Sequence, residues 1–96
     1  MKVLWTEDAL RDLDDIAAYL LEHHPAIAAK VGARIESAVA WIARWPEGAR
    51  RASGHHDVRV FFLGRYPYRI FYRVIGDTVE VLHVHHAARE PWEEDG

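Results

Sequence analysis

Residues 66–89, YPYRIFYRVIGDTVEVLHVHHAAR, constrain the fold of this chain more than any other stretch. Two runs dense in Val, Ile, Phe and Tyr flank Gly76-Asp77. This is the pattern of a β-hairpin, in which β-favouring side chains border residues that tolerate a tight reversal. Successive side chains of a strand point to opposite faces. The first run therefore sets Tyr68, Ile70, Tyr72 and Val74 against Arg69, Phe71, Arg73 and Ile75. Read the same way, the second sets Val79, Val81, His83 and His85 against Glu80, Leu82, Val84 and His86. One hairpin thus combines packing residues with cationic and titratable groups, and the segments before it read as scaffold.

Upstream, Lys2–Trp5 reads as a short first strand. Thr6 is placed to cap a helix whose first turn holds Glu7 and Asp8, where the helix dipole favours negative charge. Ala9, Leu10, Leu13, Ile16, Ala17, Leu20 and Leu21 recur at helical spacing, with Arg11, Asp12, Asp14, Asp15 and Glu22 on the other face. Pro25 ends this helix, because the residue before a proline is pushed out of the α region, and it suits the first position of the next. The second helix buries Ala28, Val31, Ile35, Ala38, Val39 and Ile42 and stops at Trp45-Pro46-Glu47-Gly48. Residues 49–56 read as a polar, flexible connector, 57–63 as a strand and 64–67 as a turn before the hairpin. The order β-α-α-β-β-β predicts an α+β domain with a helical hairpin packed on one face of a small antiparallel sheet. Residues 1–89 read as that single domain, and 90–96 as an acidic tail.

The chain has no cysteine, which removes disulfides, thiolate metal sites and a cysteine nucleophile. Its start is not a signal-peptide pattern, and no apolar run approaches the ~20 residues that span a bilayer. A soluble, cytoplasmic protein with no membrane association is expected. The formal charge of −3 is too acidic for a protein that coats nucleic acid by electrostatics alone. It hides an asymmetry, however. Residues 1–43 carry four basic groups against seven acidic ones, residues 44–89 eight against four, and the tail is purely acidic. A basic sheet region suits an acidic partner.

These residues resemble the ParE/RelE superfamily of toxins from type II toxin–antitoxin modules. The resemblance rests on Trp5-Thr6, then Ala9, Asp12, Leu13, Ile16 and Tyr19, and on Ile35 and Ile42 before Trp45-Pro46. Arg59 in the middle strand and Tyr68-Arg69-Ile70-x-Tyr72-Arg73 continue it, and Val79-x-Val81-Leu82-x-Val84-x-His86-x-x-Arg89 closes it. It covers nearly the whole chain and is closer to ParE. It implies a toxin held by a cognate antitoxin in a hetero-oligomer that contacts DNA through the antitoxin. ParE-like members are associated with plasmid stabilisation and with poisoning DNA gyrase, RelE-like members with cutting mRNA on the ribosome. A third possibility is a relative without toxicity that acts only with its antitoxin. One scaffold hosts these activities, so fold does not choose among them.

Under the gyrase reading no catalytic residue is expected, and Arg59, Arg69, Arg73, His86 and Arg89 form a row for target or antitoxin. Under the ribonuclease reading, metal-free cleavage at a 2′-OH needs a base, an acid and a cation for the phosphorane charge. Arg59, Arg73, His83 and His86 are the candidates. RelE-like nucleases tend to carry a tyrosine or histidine near the C-terminus on a strongly basic surface, whereas here the C-terminal aromatic is Trp92 in an acidic tail. His83 and His85 share a strand face, a spacing that some zinc sites use. The alternation sets Glu80 on the opposite face, so a hydrogen-bonding role is expected and no metal. No glycine-rich phosphate loop or serine-nucleophile motif is present, and no cofactor is expected.

Overall fold

The computed structural model describes residues 1–87, with His56 by its backbone alone. The elements are β1 (Lys2–Trp5), α1 (Glu7–His23), α2 (Pro25–Arg44), β2 (Arg50–Ala52), β3 (His55–Phe62), β4 (Tyr68–Ile75) and β5 (Thr78–His86). The expected α+β architecture is present, with both helices on one face of the sheet. Two details differ. The sheet has five strands in the order β1-β5-β4-β3-β2 and is mixed, because β1 runs parallel to β5. The segment expected to be a flexible connector instead forms β2, which turns back through Gly54 (φ 81°) to pair antiparallel with β3. Positive φ costs glycine little, so a tight reversal is available there.

Local chemistry sets the helix ends. Thr6 accepts a hydrogen bond from the Ala9 N–H at 3.2 Å and caps α1. His24 breaks the helical conformation, and Pro25 opens α2. The α2 stripe is buried as expected at Val31, Ile35, Ala38, Val39 and Ile42. The α1 stripe is narrower than its periodicity implies. Ala9 and Leu20 are buried, while Leu10 and Leu21 are 49% and 64% exposed. The cause is that α1 packs mainly against β5 and α2, so residues flanking the line Ala9–Leu13–Ile16–Leu20 face outward.

The main core lies between helices and sheet. Ile70, Val79 and Val81 are fully buried there, worth about 1.5–3 kcal/mol per side chain. A second, smaller core lies on the open face of the sheet, where Ala52, Val58, Val60 and Phe71 pack with Leu82.

Along β4 and β5 the pairing shifts. Phe71 lies opposite His83, but Tyr72 lies opposite Val81, so Leu82 is an extra residue, a β-bulge. Because side-chain period is two, one extra residue reverses which side chains face the core beyond it. Val79, Val81, Val84 and His86 therefore line up with Tyr68, Ile70, Tyr72 and Val74 on the helix face. Glu80, His83 and His85 share the open face with Arg69, Phe71 and Arg73. The expected separation of Glu80 from the histidine pair is thus wrong.

Candidate functional site

β1 ends at Trp5 opposite Val81, so among the described residues the outer edge of β5 has no strand neighbour from Leu82 onward. The start of α1 takes over that edge. The Thr6 hydroxyl donates to the Val81 carbonyl at 2.8 Å, and the Thr6 N–H donates to the same oxygen at 3.1 Å. One turn further, Asp12 Oδ2 accepts the Val84 N–H at 2.9 Å and lies 3.1 Å from His83 Nδ1. His85 Nε2 lies 3.9 Å from the same oxygen, and the two imidazole centroids are 4.8 Å apart. Asp12, His83 and His85 are thereby gathered at one sheltered point, their side chains 17%, 21% and 13% exposed. Sequence reasoning put Asp12 on the solvent face of its helix. Its position three residues after Ala9 and four before Ile16 places it inside the apolar stripe, a signal that was available.

The expected row of arginines is divided between faces. Arg59 pairs with Tyr72 and so lies on the helix side of the sheet. There Nη1 donates to the Ala49 carbonyl at 2.7 Å and the Glu47 carbonyl at 3.2 Å, tying down the chain that leaves α2. Tyr72 supports the same segment by donating its hydroxyl to the Pro46 carbonyl at 2.8 Å. Burial pushes the Tyr72 phenol above its ordinary pKa, outweighing the opposing charge of Arg59.

On the open face, Arg73 Nε donates to Glu80 Oε1 at 2.8 Å. Arg69 instead faces aromatic rings, its guanidinium 5.8 Å from the Phe62 centroid and 5.7 Å from that of Phe71. Arg50 stands 4.8 Å from the Phe62 centroid. Phe62 is 44% exposed between the two guanidinium groups, an accessible basic–aromatic patch. Arg89 lies outside the described residues, as do Trp92 and the acidic tail.

His86 is on the helix face, edge-on to Tyr68 with centroids 5.3 Å apart. It lines a groove of about 450 Å³ bounded by Asp15, Ile16 and Tyr19 of α1 and by Tyr68 and Val84 of the sheet. Burial raises the Tyr68 phenol pKa, and the nearby Tyr19 adds to the rise. The four nuclease candidates are therefore not assembled. Arg59 and His86 sit on one face of the sheet, and Arg73 and His83 on the other.

Comparison with known proteins agrees with this architecture. Y4kP of Sinorhizobium fredii is 40% identical over 89 residues, covering 93% of this chain and 91% of that protein. Toxin RelE2 of Caulobacter vibrioides is 33% identical over 88 residues, covering 92% and 97%. A chain of the chromosomal ParDE toxin–antitoxin system from P. aeruginosa superposes with a TM-score of 0.75 at 31% identity, covering 90% of this chain and 95% of that one. The isolated E. coli RelE toxin superposes with a TM-score of 0.65 at 18% identity, covering 98% and 92%, a likeness of fold. The sequence profile of the ParE toxin of the type II toxin–antitoxin system parDE matches residues 3–91. The chain belongs to the ParE toxin family, within the ParE/RelE superfamily of type II toxins, and membership implies a cognate antitoxin as partner.

Proposed function

We propose that this toxin poisons DNA gyrase in the cytoplasm, binding the enzyme and stabilising its cleaved-DNA complex without chemistry of its own, until a cognate antitoxin holds it. Residues 1–89 form the acting domain and 90–96 an appended acidic tail. The observation that carries the reading is the separation of the four nuclease candidates, Arg59, Arg73, His83 and His86, between the two faces of the sheet. A nuclease must aim a base, an acid and a phosphate-neutralising cation at one scissile bond. Here Arg59 holds backbone carbonyls, Arg73 is matched by Glu80, and His83 and His86 are on opposite faces. An interface-driven poison needs no such convergence.

Arg69 and Arg73 on the open face are the contacts we assign to target or antitoxin, with Arg50 and Phe62 beside Arg69. The exposed Arg50 and the half-buried Arg69 against the Phe62 ring suit acidic segments, which gain register and steering from such a surface. Arg59 and His86, on the helix side of the sheet, are assigned no direct contact, and Arg89 stays in the proposed contact set.

The test incubates purified, antitoxin-free protein with gyrase and supercoiled plasmid, then scores linear DNA after denaturation. The expected result is linear DNA that requires both proteins, is reduced in Arg69→Glu, and persists in His83→Gln/His86→Gln. No linear DNA and no inhibition from a folded sample, together with cleavage of mRNA on ribosomes, would replace this reading with the ribonuclease one.

A further inference from the structure

We infer that Asp12, His83 and His85 form a binding site for a borderline divalent transition-metal ion, with Zn²⁺ as its representative. One donor atom from each of the three side chains lies within 4.8 Å of the others. In a tetrahedral zinc site with bonds of about 2.0–2.1 Å, neighbouring donors sit roughly 3.4 Å apart. The two separations to Asp12 Oδ2, 3.1 Å from His83 Nδ1 and 3.9 Å from His85 Nε2, bracket that value. All three donor atoms lie within 4.8 Å of one another, so binding an ion requires the two imidazoles to draw together by side-chain rotation. The ion would replace the direct His83–Asp12 contact with two stronger bonds and leave one position for water.

The site is built rather than incidental. The histidines converge because two residues apart on one strand share a face, and the Leu82 bulge turns that face toward Phe71 and away from the helices. The Phe71 ring packs edge-on against His85 with centroids 5.6 Å apart and limits its rotation. Asp12 is oriented by the Val84 N–H, the kind of outer hydrogen bond that commonly fixes a metal-ligating carboxylate.

The donor chemistry selects the ion class. Two imidazoles with one carboxylate suit zinc, nickel, cobalt or copper, whereas calcium and magnesium need more oxygen donors than one side chain offers. Arg69 is the cross-strand neighbour of His85, and its charge works against any cation bound mainly by electrostatics. Nitrogen-directed bonds to a borderline ion withstand that opposition best. The outcome is a clip between α1 and the last strand of the sheet, and an ion bound only by the folded state stabilises it.

The test uses the full chain freed of any affinity tag, titrated with ZnCl₂ by calorimetry and with CoCl₂ by visible absorption. The expected result is one equivalent bound, ligand-field bands of a tetrahedral Co²⁺ centre, and a thermal transition that rises with Zn²⁺. His83→Gln and His85→Gln should each weaken binding by at least about tenfold, since even outer-sphere losses reach that size. His23→Gln/His24→Gln, which removes an exposed adjacent pair, should leave the affinity unchanged. Circular dichroism of each variant separates lost ligation from lost folding. Asp12→Asn serves as a second ligand variant, and His85→Gln is the milder one, because its distance to Asp12 is the longer. Absence of stoichiometric binding, or binding that survives both His83→Gln and His85→Gln in folded protein, overturns the proposal. Gyrase activity enters none of these readouts, so this site and the gyrase reading fail independently.

Discussion

Arg59→Met separates scaffold from interface. Methionine keeps an unbranched apolar stem and removes the guanidinium, so the change isolates the donated hydrogen bonds. Two are at stake, to the Ala49 carbonyl at 2.7 Å and to the Glu47 carbonyl at 3.2 Å. Hydrogen bonds to a charged group contribute about 1.5–3 kcal/mol. The shorter one is partly buried and dominates, while the longer is exposed and adds little. The expected loss is about 2 kcal/mol, which for a domain under ~100 residues lowers Tm by roughly 8–16 °C. Thermal unfolding followed by circular dichroism reads this directly. A parallel gyrase assay, run well below the variant's transition, should show near-normal DNA linearisation. A Tm shift under about 4 °C, less than ~1 kcal/mol, combined with loss of linearisation, would refute the structural assignment. Arg59 would then belong to the interface after all.

Tyr72→Phe should cost about 1–2 kcal/mol at neutral pH by leaving the Pro46 carbonyl without its donor. The same variant tests alkaline behaviour. Burial raises the folded phenol pKa above its unfolded value near 10, so the stability gained by keeping it neutral is complete below that pH. It is lost as pH rises through the higher folded value, and urea midpoints at increasing pH should fall less steeply in Tyr72→Phe than in the parent. Gly48→Ala should cost about 1–3 kcal/mol as an overpacking change, because a new Cβ would sit 2.5 Å from Trp41 Cη2 and 3.2 Å from the Trp45 carbonyl. Most of that cost should vanish in a Trp41→Leu background, a coupling that a double-mutant cycle measures.

The parts of this fold legible in the sequence are those with a long repeating signal. The two helices show it across many residues, and Pro25 marks their junction to the residue. The β4–β5 reversal is equally plain, with Gly76-Asp77 between two runs of alternating β-formers. β2 escaped because three residues, Arg50–Ala52, are too few to establish a period, and their polarity reads as loop. The bulge escaped for a different reason. Leu82 is a sound strand residue, and nothing in its identity says that it is supernumerary; only the pairing with β4 reveals it. That one residue decides which groups Glu80, His83 and His85 meet, so the candidate site was less legible than the fold. Arg59 shows a related limit. Alternation separates the two faces of a strand without telling which one the helices cover.

The pairing of β1 with β5 bears on how the toxin comes into being on the ribosome. The first strand of the described chain finds its neighbour in the last, and α1 packs on that same strand. Contacts between residues so far apart in sequence wait for the intervening chain. Until residues 78–86 have emerged, β1 has no partner and the helical hairpin has no β5 to cover. Vectorial synthesis, which lets many domains take shape from the N-terminal end, gives this chain only a helical hairpin and a partial sheet. Until residues 78–86 have been made, the nascent chain lacks the strand on which β1 and α1 both rest, and the complete sheet surface can form only after that point.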